Sequence, residues 1–212
     1  MGNRRINIAA SYVGTRALGP GLRSVVWVQG CPFNCQGCIS PDWIPNKITT
    51  TISIEDLSDK LLSNPLVDGF VFSGGEPFLQ AESLAELIIF SRRERDLTLI
   101  CYSGFSFEEL EINRLKRGIG KLLAEVDVLI DGKYVASLND NRGLRGSNNQ
   151  RVHHLTDRLK YYDFETQPRQ TEIYVQNGEL LFVGVPPTGL ITPIEINIPI
   201  FPLRILEPYE RA

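Results

Sequence analysis

Arg23–Cys38 reads RSVVWVQGCPFNCQGC, an unbroken apolar run that ends in Gln29-Gly30 and passes directly into three cysteines. A short, continuous run of β-branched and aromatic residues suits a buried parallel strand. Three more runs of this kind follow: Gly69–Phe72 (GFVF), Leu97–Tyr102 (LTLICY) and Val126–Asp131 (VDVLID). Helical segments lie between them. Ser53, with Asp56 as capping partner, precedes Ile54, Leu57, Leu61 and Leu62 at helical spacing. Glu82 to Phe90 carries Leu84, Leu87, Ile88 and Phe90 on one face, and Ser106 with Glu109 forms an S-x-x-E capping box before Leu110 and Leu115. Repeated strand–helix–strand order predicts an α/β fold with a mostly parallel sheet and right-handed crossovers.

After about Tyr162 the texture changes. Thr171–Val175 and Glu179–Val183 flank Gln176-Asn177-Gly178, a hairpin signal. Beyond it Pro186, Pro187, Pro193, Pro199, Pro202 and Pro208 forbid a long helix or a central strand. The expectation is a core over residues 1–161, followed by a C-terminal β-hairpin and extended proline-rich tail over 162–212. That tail is expected to pack on the core or on a partner.

Composition narrows the function classes. With 212 residues, 42% of them apolar, the chain can bury a sizeable core, and a net charge of −3 offers no tract for nucleic acid. Basic residues do gather between Arg142 and Lys160. No apolar run approaches the ~18 residues a membrane helix needs, and Met1 to Ala10 lacks the apolar stretch of a secretory signal. A cytoplasmic protein is expected, with neither nucleic acid nor membrane as partner.

Three of the four cysteines lie within eight residues, as Cys31-x3-Cys35-x2-Cys38. A secreted disulfide scaffold would spread them to staple distant loops. Three thiolates on the carboxyl end of a strand can instead hold three irons of a cubane and leave the fourth open, whereas a closed electron-transfer cluster takes four cysteines. Spacing alone leaves a zinc site and incidental thiols open. Zinc would need a fourth ligand, and His153 and His154 are distant in sequence. Cys101 falls inside an apolar run and reads as a core residue. At the end of the second run, Gly74-Gly75-Glu76 allows close approach of a ligand to backbone and offers an acceptor for an ammonium group; a plain strand-to-helix turn would look the same.

Taken together, GPGLRSVVWVQGCPFNCQGC (19–38), FSGGEP (72–77), YSGFSFEEL (102–110), VDVLIDGKY (126–134) and RGSNNQR (145–151) resemble the radical S-adenosylmethionine superfamily. More narrowly, the order of blocks from about Asn7 to Leu155 is similar to that of the activases of anaerobic ribonucleotide reductase and pyruvate formate-lyase. The resemblance implies a partial (β/α) barrel. It makes Cys31, Cys35 and Cys38 the ligands of a [4Fe–4S] cluster whose fourth iron is chelated by S-adenosylmethionine. It places Gly37 and Ile39 at the adenine end, Gly74, Gly75 and Glu76 at the methionyl amino group, Tyr102 and Ser103 at the ribose, and Asp131 and Lys133 near the cofactor.

The implied chemistry is reductive cleavage of S-adenosylmethionine to a 5′-deoxyadenosyl radical that abstracts hydrogen, with no general acid or base. The implied partners are a glycyl radical enzyme as substrate and a flavodoxin- or ferredoxin-type electron donor. Two alternatives stand beside this reading: a radical enzyme acting on a small molecule or nucleotide, and a non-catalytic regulatory protein that binds a cluster. The segment Arg142–Arg151 reads equally as a substrate grip and as a solvated loop. His153 and His154 read as structural. The C-terminal ~50 residues do not match the activase pattern.

Overall fold

All four apolar runs become parallel neighbours. In the computed structural model, which describes residues 4–176, 179–188 and 190, seven strands share one sheet. They are β1 (Arg5–Thr15), β2 (Arg23–Val28), β3 (Thr50–Ser53), β4 (Gly69–Gly74), β5 (Thr98–Ser103), β6 (Val128–Asp131) and β7 (Arg151–His154), in the order β3-β1-β2-β4-β5-β6-β7. The β2–β4, β4–β5 and β5–β6 pairs are parallel; β1 and β7 join antiparallel on either side, and β3 pairs antiparallel with β1. The edge strands β3 and β7 are not paired with each other.

Helices α1 (Ile54–Leu61), α2 (Ala81–Ser91), α3 (Phe107–Ile112) and α4 (Ile119–Glu125) cover one face. The expected starts are present: the Ser53 hydroxyl accepts from Asp56 N, and Ser106 with Glu109 makes a full capping box. On the sheet side, alternation sends Val26, Phe70, Phe72, Leu99, Cys101 and Leu129 into this helical core.

Three strands and one helix were not foreseen. β1, RINIAASYVGT, mixes small and polar residues without a clean period and is ordered by pairing on both sides, with two register shifts along its β2 pairing. β3 and β7, each four residues, are too short for a periodic signal. α4 is a further element of the helical core, and α3 stops at Ile112, leaving Leu115 fully exposed instead of on a helix face.

The opposite face carries Val25, Trp27, Val71, Ile100, Val128 and Ile130, and we call it the inner face. The hairpin expected near the C-terminus forms as β8 (Thr171–Gln176) and β9 (Glu179–Gly184), antiparallel, with Leu181 and Val183 buried in this inner cluster. The centre of the turn, Asn177-Gly178, and the tail prolines Pro193, Pro199, Pro202 and Pro208 lie outside the described residues.

One buried carboxylate locks the far side of the sheet. Asp127, 2% exposed, accepts from Leu99 N at 2.8 Å and Thr156 Oγ1 at 2.6 Å, with Arg92 at 3.3 Å and Arg158 at 3.6 Å. It thereby joins β5, the approach to β6 and the turn after β7. Asp127→Ala leaves the buried Leu99 N–H and the part-buried Thr156 hydroxyl without their acceptor, while Arg92 keeps Glu125 and Arg158 keeps Asp96, so it is expected to destabilise the fold by about 2 kcal/mol in urea titration.

Candidate active site

The cysteine loop leaves the end of β2 and is closed by its own downstream turn. Gly30 N donates to Trp43 O and Cys31 N to Ile44 O, both at 2.9 Å, while the buried Gln29 amide donates to Pro45 O at 2.7 Å. Trp43 packs on Trp27, ring centroids 5.8 Å apart, sealing the loop against the inner face. Cys38 N donates to Cys35 O at 3.1 Å, so the last two cysteines share one tight turn. All three thiols are partly buried and free. Burial pushes the Cys31 thiol up from 9.0 to about 11 and also raises Cys38, so metal loading would have to displace these protons.

Phe33, not anticipated from the sequence, is the side chain that seats this loop on the sheet. It meets Phe105 edge-on at 4.8 Å and lies 5.0 Å under Lys133 Nζ. A Cβ on Gly104 would collide with its ring. The signal was an aromatic between Pro32 and the second cysteine, indistinguishable in one dimension from a loop residue. Gly37, at φ +75°, abuts Ala136 and Tyr134 of the segment after β6. Ile39 is 58% exposed beside the last cysteine.

The Gly74-Gly75-Glu76 segment is bonded to the root of that loop. Gly75 N donates to Val28 O and Glu76 N to Gly30 O, each at 2.8 Å. Any Cβ on Gly74 would stand 2.5 Å from Val28 N, and one on Gly75 would overlap Gly30 O. Glycine here permits strand-to-strand approach.

Glu76, fully buried, spends its carboxylate inside the protein: it accepts from Phe78 N and the Ser103 hydroxyl at 3.0 Å and from Gly104 N at 2.8 Å. Glu76 and Ser103 thus tie the ends of β4 and β5 together. Tyr102 points to the inner face and donates its hydroxyl to Leu144 O at 3.0 Å, and burial raises its pKa beyond the usual phenol range.

Asp131, 1% exposed, turns the other way. It accepts from Phe107 N at the start of α3 at 2.5 Å and pairs with Arg151 at 2.6 Å, with His153 Nε2 3.2 Å away. Arg151 also grips Glu108 with two bonds, at 2.8 and 2.6 Å. His153 stacks on Phe107 and His154 meets Phe164 edge-on. The rest of Arg142–Arg151 is likewise tied down: Gln150 donates to Gly132 O at 2.7 Å and Asn149 to Lys133 O at 2.8 Å. Cys101 is buried in the helical core, away from the other thiols.

Cys31, Cys35, Cys38, Gly37, Gly74, Gly75, Glu76, Ser103 and Lys133 are therefore gathered at the carboxyl ends of the parallel strands, where open α/β sheets bind ligands. Tyr102 and Asp131 stand at the same end with their polar groups engaged on either side of it. The donor set, three partly buried thiols on one loop, fits a cubane, in which each thiolate binds a different iron and one iron is left open.

Burial raises the Glu76 carboxyl from 4.5 to about 7 against three donors that favour its charged form. The folded protein then holds a proton that the unfolded chain has released. Stability of the metal-free protein is expected to fall between about pH 4.5 and 7 by on the order of 3 kcal/mol, and to level off above. Urea titrations across that range should show the slope in the wild type and its loss in Glu76→Gln.

Comparison with known proteins agrees with this geometry. Residues 17–153 match the family described as 4Fe-4S single cluster domain. The anaerobic ribonucleoside-triphosphate reductase-activating protein of Enterobacteria phage T4 is 32% identical over 153 residues, covering 68% of this chain and 92% of that protein. Its namesake from Escherichia coli K12 is 30% identical over 149 residues, covering 65% and 91%. The pyruvate formate-lyase-activating enzyme of Clostridium pasteurianum is 33% identical over 123 residues, covering 55% and 48%. The chain is thus an enzyme of the single-cluster 4Fe–4S family, and belongs with these activating proteins in the radical S-adenosylmethionine superfamily.

Proposed function

We propose that this protein cleaves S-adenosylmethionine reductively and uses the resulting radical to install a glycyl radical on a partner enzyme. The observation that carries the reading is the junction of the cysteine loop with Gly74-Gly75-Glu76, made through the backbone of Val28 and Gly30. It sets the three thiols beside the Gly74-Gly75-Glu76 turn, in a chain whose relatives are activating proteins.

Cys31, Cys35 and Cys38 would hold the [4Fe–4S] cluster in this proposal, and the bound, reduced cluster would supply the one electron needed to cleave the C–S bond of S-adenosylmethionine to methionine and a 5′-deoxyadenosyl radical. The protein's own part is placement and exclusion of quenchers. Gly74 and Gly75 present backbone to the methionyl end. Glu76 acts through the turn it holds, since its oxygens already bond Phe78, Ser103 and Gly104. Gly37 and Ile39 border the adenine, and Lys133, poised over Phe33, flanks the cofactor. Ser103 and Tyr102 shape the ribose side, and Asp131 steadies the end of β6 through Arg151 and α3.

We read the sheet as the open, partial (β/α) barrel of this superfamily, with residues 1–161 as its core and 162–212 as an addition packed on it. The electron comes from a flavodoxin- or ferredoxin-type donor, and the protein works in the cytoplasm with neither nucleic acid nor membrane; no helix among the described residues is long and apolar enough to cross a bilayer.

Anaerobic reconstitution tests the assignment. Alanine at Cys31, Cys35 or Cys38 should abolish the iron–sulfur absorption and EPR signal and all 5′-deoxyadenosine formation, whereas Cys101→Ala should keep both. A wild-type protein that binds its cluster and still releases no 5′-deoxyadenosine would sink the enzymatic reading. A glycyl-radical EPR doublet should appear only when the partner enzyme is added.

A further inference from the structure

The inner face of the sheet is the side on which a radical generated at the strand ends would meet its substrate. Here that face is covered. Leu181 and Val183 of β9, 3% and 0% exposed, share one buried cluster with Val25, Val71, Ile100 and Val128 of the four parallel strands, and Leu18, Leu144, Leu159 and Phe164 of the connecting segments complete it. This hairpin lies outside the stretch, residues 17–153, that matches the single-cluster family.

The hairpin is fastened at its open end, where β8 begins. Glu172 of β8 accepts from Thr15 Oγ1 at 2.7 Å, Arg16 N at 2.9 Å and Tyr174 Oη at 2.6 Å, and the Tyr174 ring packs tilted on Tyr12 with centroids 4.4 Å apart. Three residues earlier, Arg169 donates to Asn139 Oδ1 at 2.8 Å and to Arg145 O at 2.7 Å, clamping the approach to β8 onto the segment after β6. That segment also carries Tyr134 and Ala136, which abut Gly37 of the cysteine loop.

The register shows what is left uncovered. Ala10, Trp27 and Ser73 stand in one row across β1, β2 and β4, and Tyr102, Ile130 and Val152 continue it across β5, β6 and β7. Trp27 lies under Trp43, and Tyr102 is pinned to Leu144. Ser73 is the small, half-buried member between two large rings, one step beyond the covered Val71. Of that row Ser73 is thus a small, partly exposed position at the carboxyl rim, at the end of the strand that leads into Gly74-Gly75-Glu76.

We infer that the β8–β9 hairpin completes, with Leu144, Leu159 and Phe164 beside it, a built-in wall over the inner face, so that substrate reaches the radical only end-on, over the carboxyl rim, as a protruding chain segment and not as a body laid across the sheet. The inference rests on the proposed radical chemistry for its purpose, and on packing alone for the closure. The wall would specify substrate shape and keep competing hydrogen donors, such as thiols and small solutes with weak C–H bonds, away from the radical.

Glu172→Ala removes the polar fastening, and Leu181→Lys forces a charge into the covered face. Each is expected to raise the undocked fraction about 5–30-fold. In metal-free full-length protein this reads as increased binding of the apolar dye ANS with far-UV circular dichroism retained. Glu172→Gln, which keeps the shape, should stay near wild type.

In the reconstituted enzyme both disruptive variants should keep the cluster absorption yet form more 5′-deoxyadenosine per glycyl radical, because the radical is quenched before transfer. Unchanged dye binding in both variants would show that the hairpin does not seal the face. Increased dye binding with an unchanged product ratio would show that the seal has no part in substrate access. A wild-type protein that makes no 5′-deoxyadenosine overturns the activase reading instead, and the dye result still decides the closure.

Discussion

Two backbone hydrogen bonds, Gly75 N to Val28 O and Glu76 N to Gly30 O, set the distance between the ends of β2 and β4, and the site is built outward from them. They form because neither Gly74 nor Gly75 carries a Cβ. The cysteine loop starts at this junction, so its position is set by main-chain geometry rather than by any contact of the thiols. The two segments, distant in the chain, are thereby brought to one corner of the sheet. That arrangement costs little to hold open, since the bonds are satisfied before any ligand arrives.

Around that junction the charged groups serve mainly to hold strand ends in place. Glu76 joins the turns after β4 and β5, Asp131 caps the start of α3 while pairing with Arg151, and Asp127 locks β5 to the far edge. Each is buried and each accepts backbone N–H groups, so each fixes a loop that would otherwise be free to move. For a radical enzyme this division suits the chemistry: cluster and cofactor carry the electron, and the protein supplies rigid walls without a proton donor. The C-terminal hairpin extends the same logic to the inner face, where apolar packing replaces hydrogen bonds.

Much of this was legible in one dimension. The four apolar runs, the Ser53 cap, the Ser106–Glu109 capping box, the hairpin and the clustered cysteines all announce themselves through local chemistry, because each depends on residues within a few positions of one another. β1, β3 and β7 were not legible, since their order comes from neighbours distant in the chain. Phe33 was missed for the same reason: its partners Phe105 and Lys133 lie some 70 and 100 positions away.

The sequence by itself determined the chemistry of this protein: three thiols at C-x3-C-x2-C spacing, a glycine pair followed by a carboxylate, and parallel strands that deliver them to a common end. Which of those groups remain available to a ligand was decided only by the tertiary structure. Glu76 reads as an open acceptor until folding fills its lone pairs with donors from its own turn and the end of β5, and Asp131, expected near the cofactor, likewise accepts from Phe107 N and Arg151. Nothing in the order of residues tells that Leu181 and Val183 join the buried cluster of Val71 and Ile100. Covalent spacing fixes what a short segment can bind, whereas burial and hydrogen-bond saturation are properties of contacts between segments that are far apart in the chain.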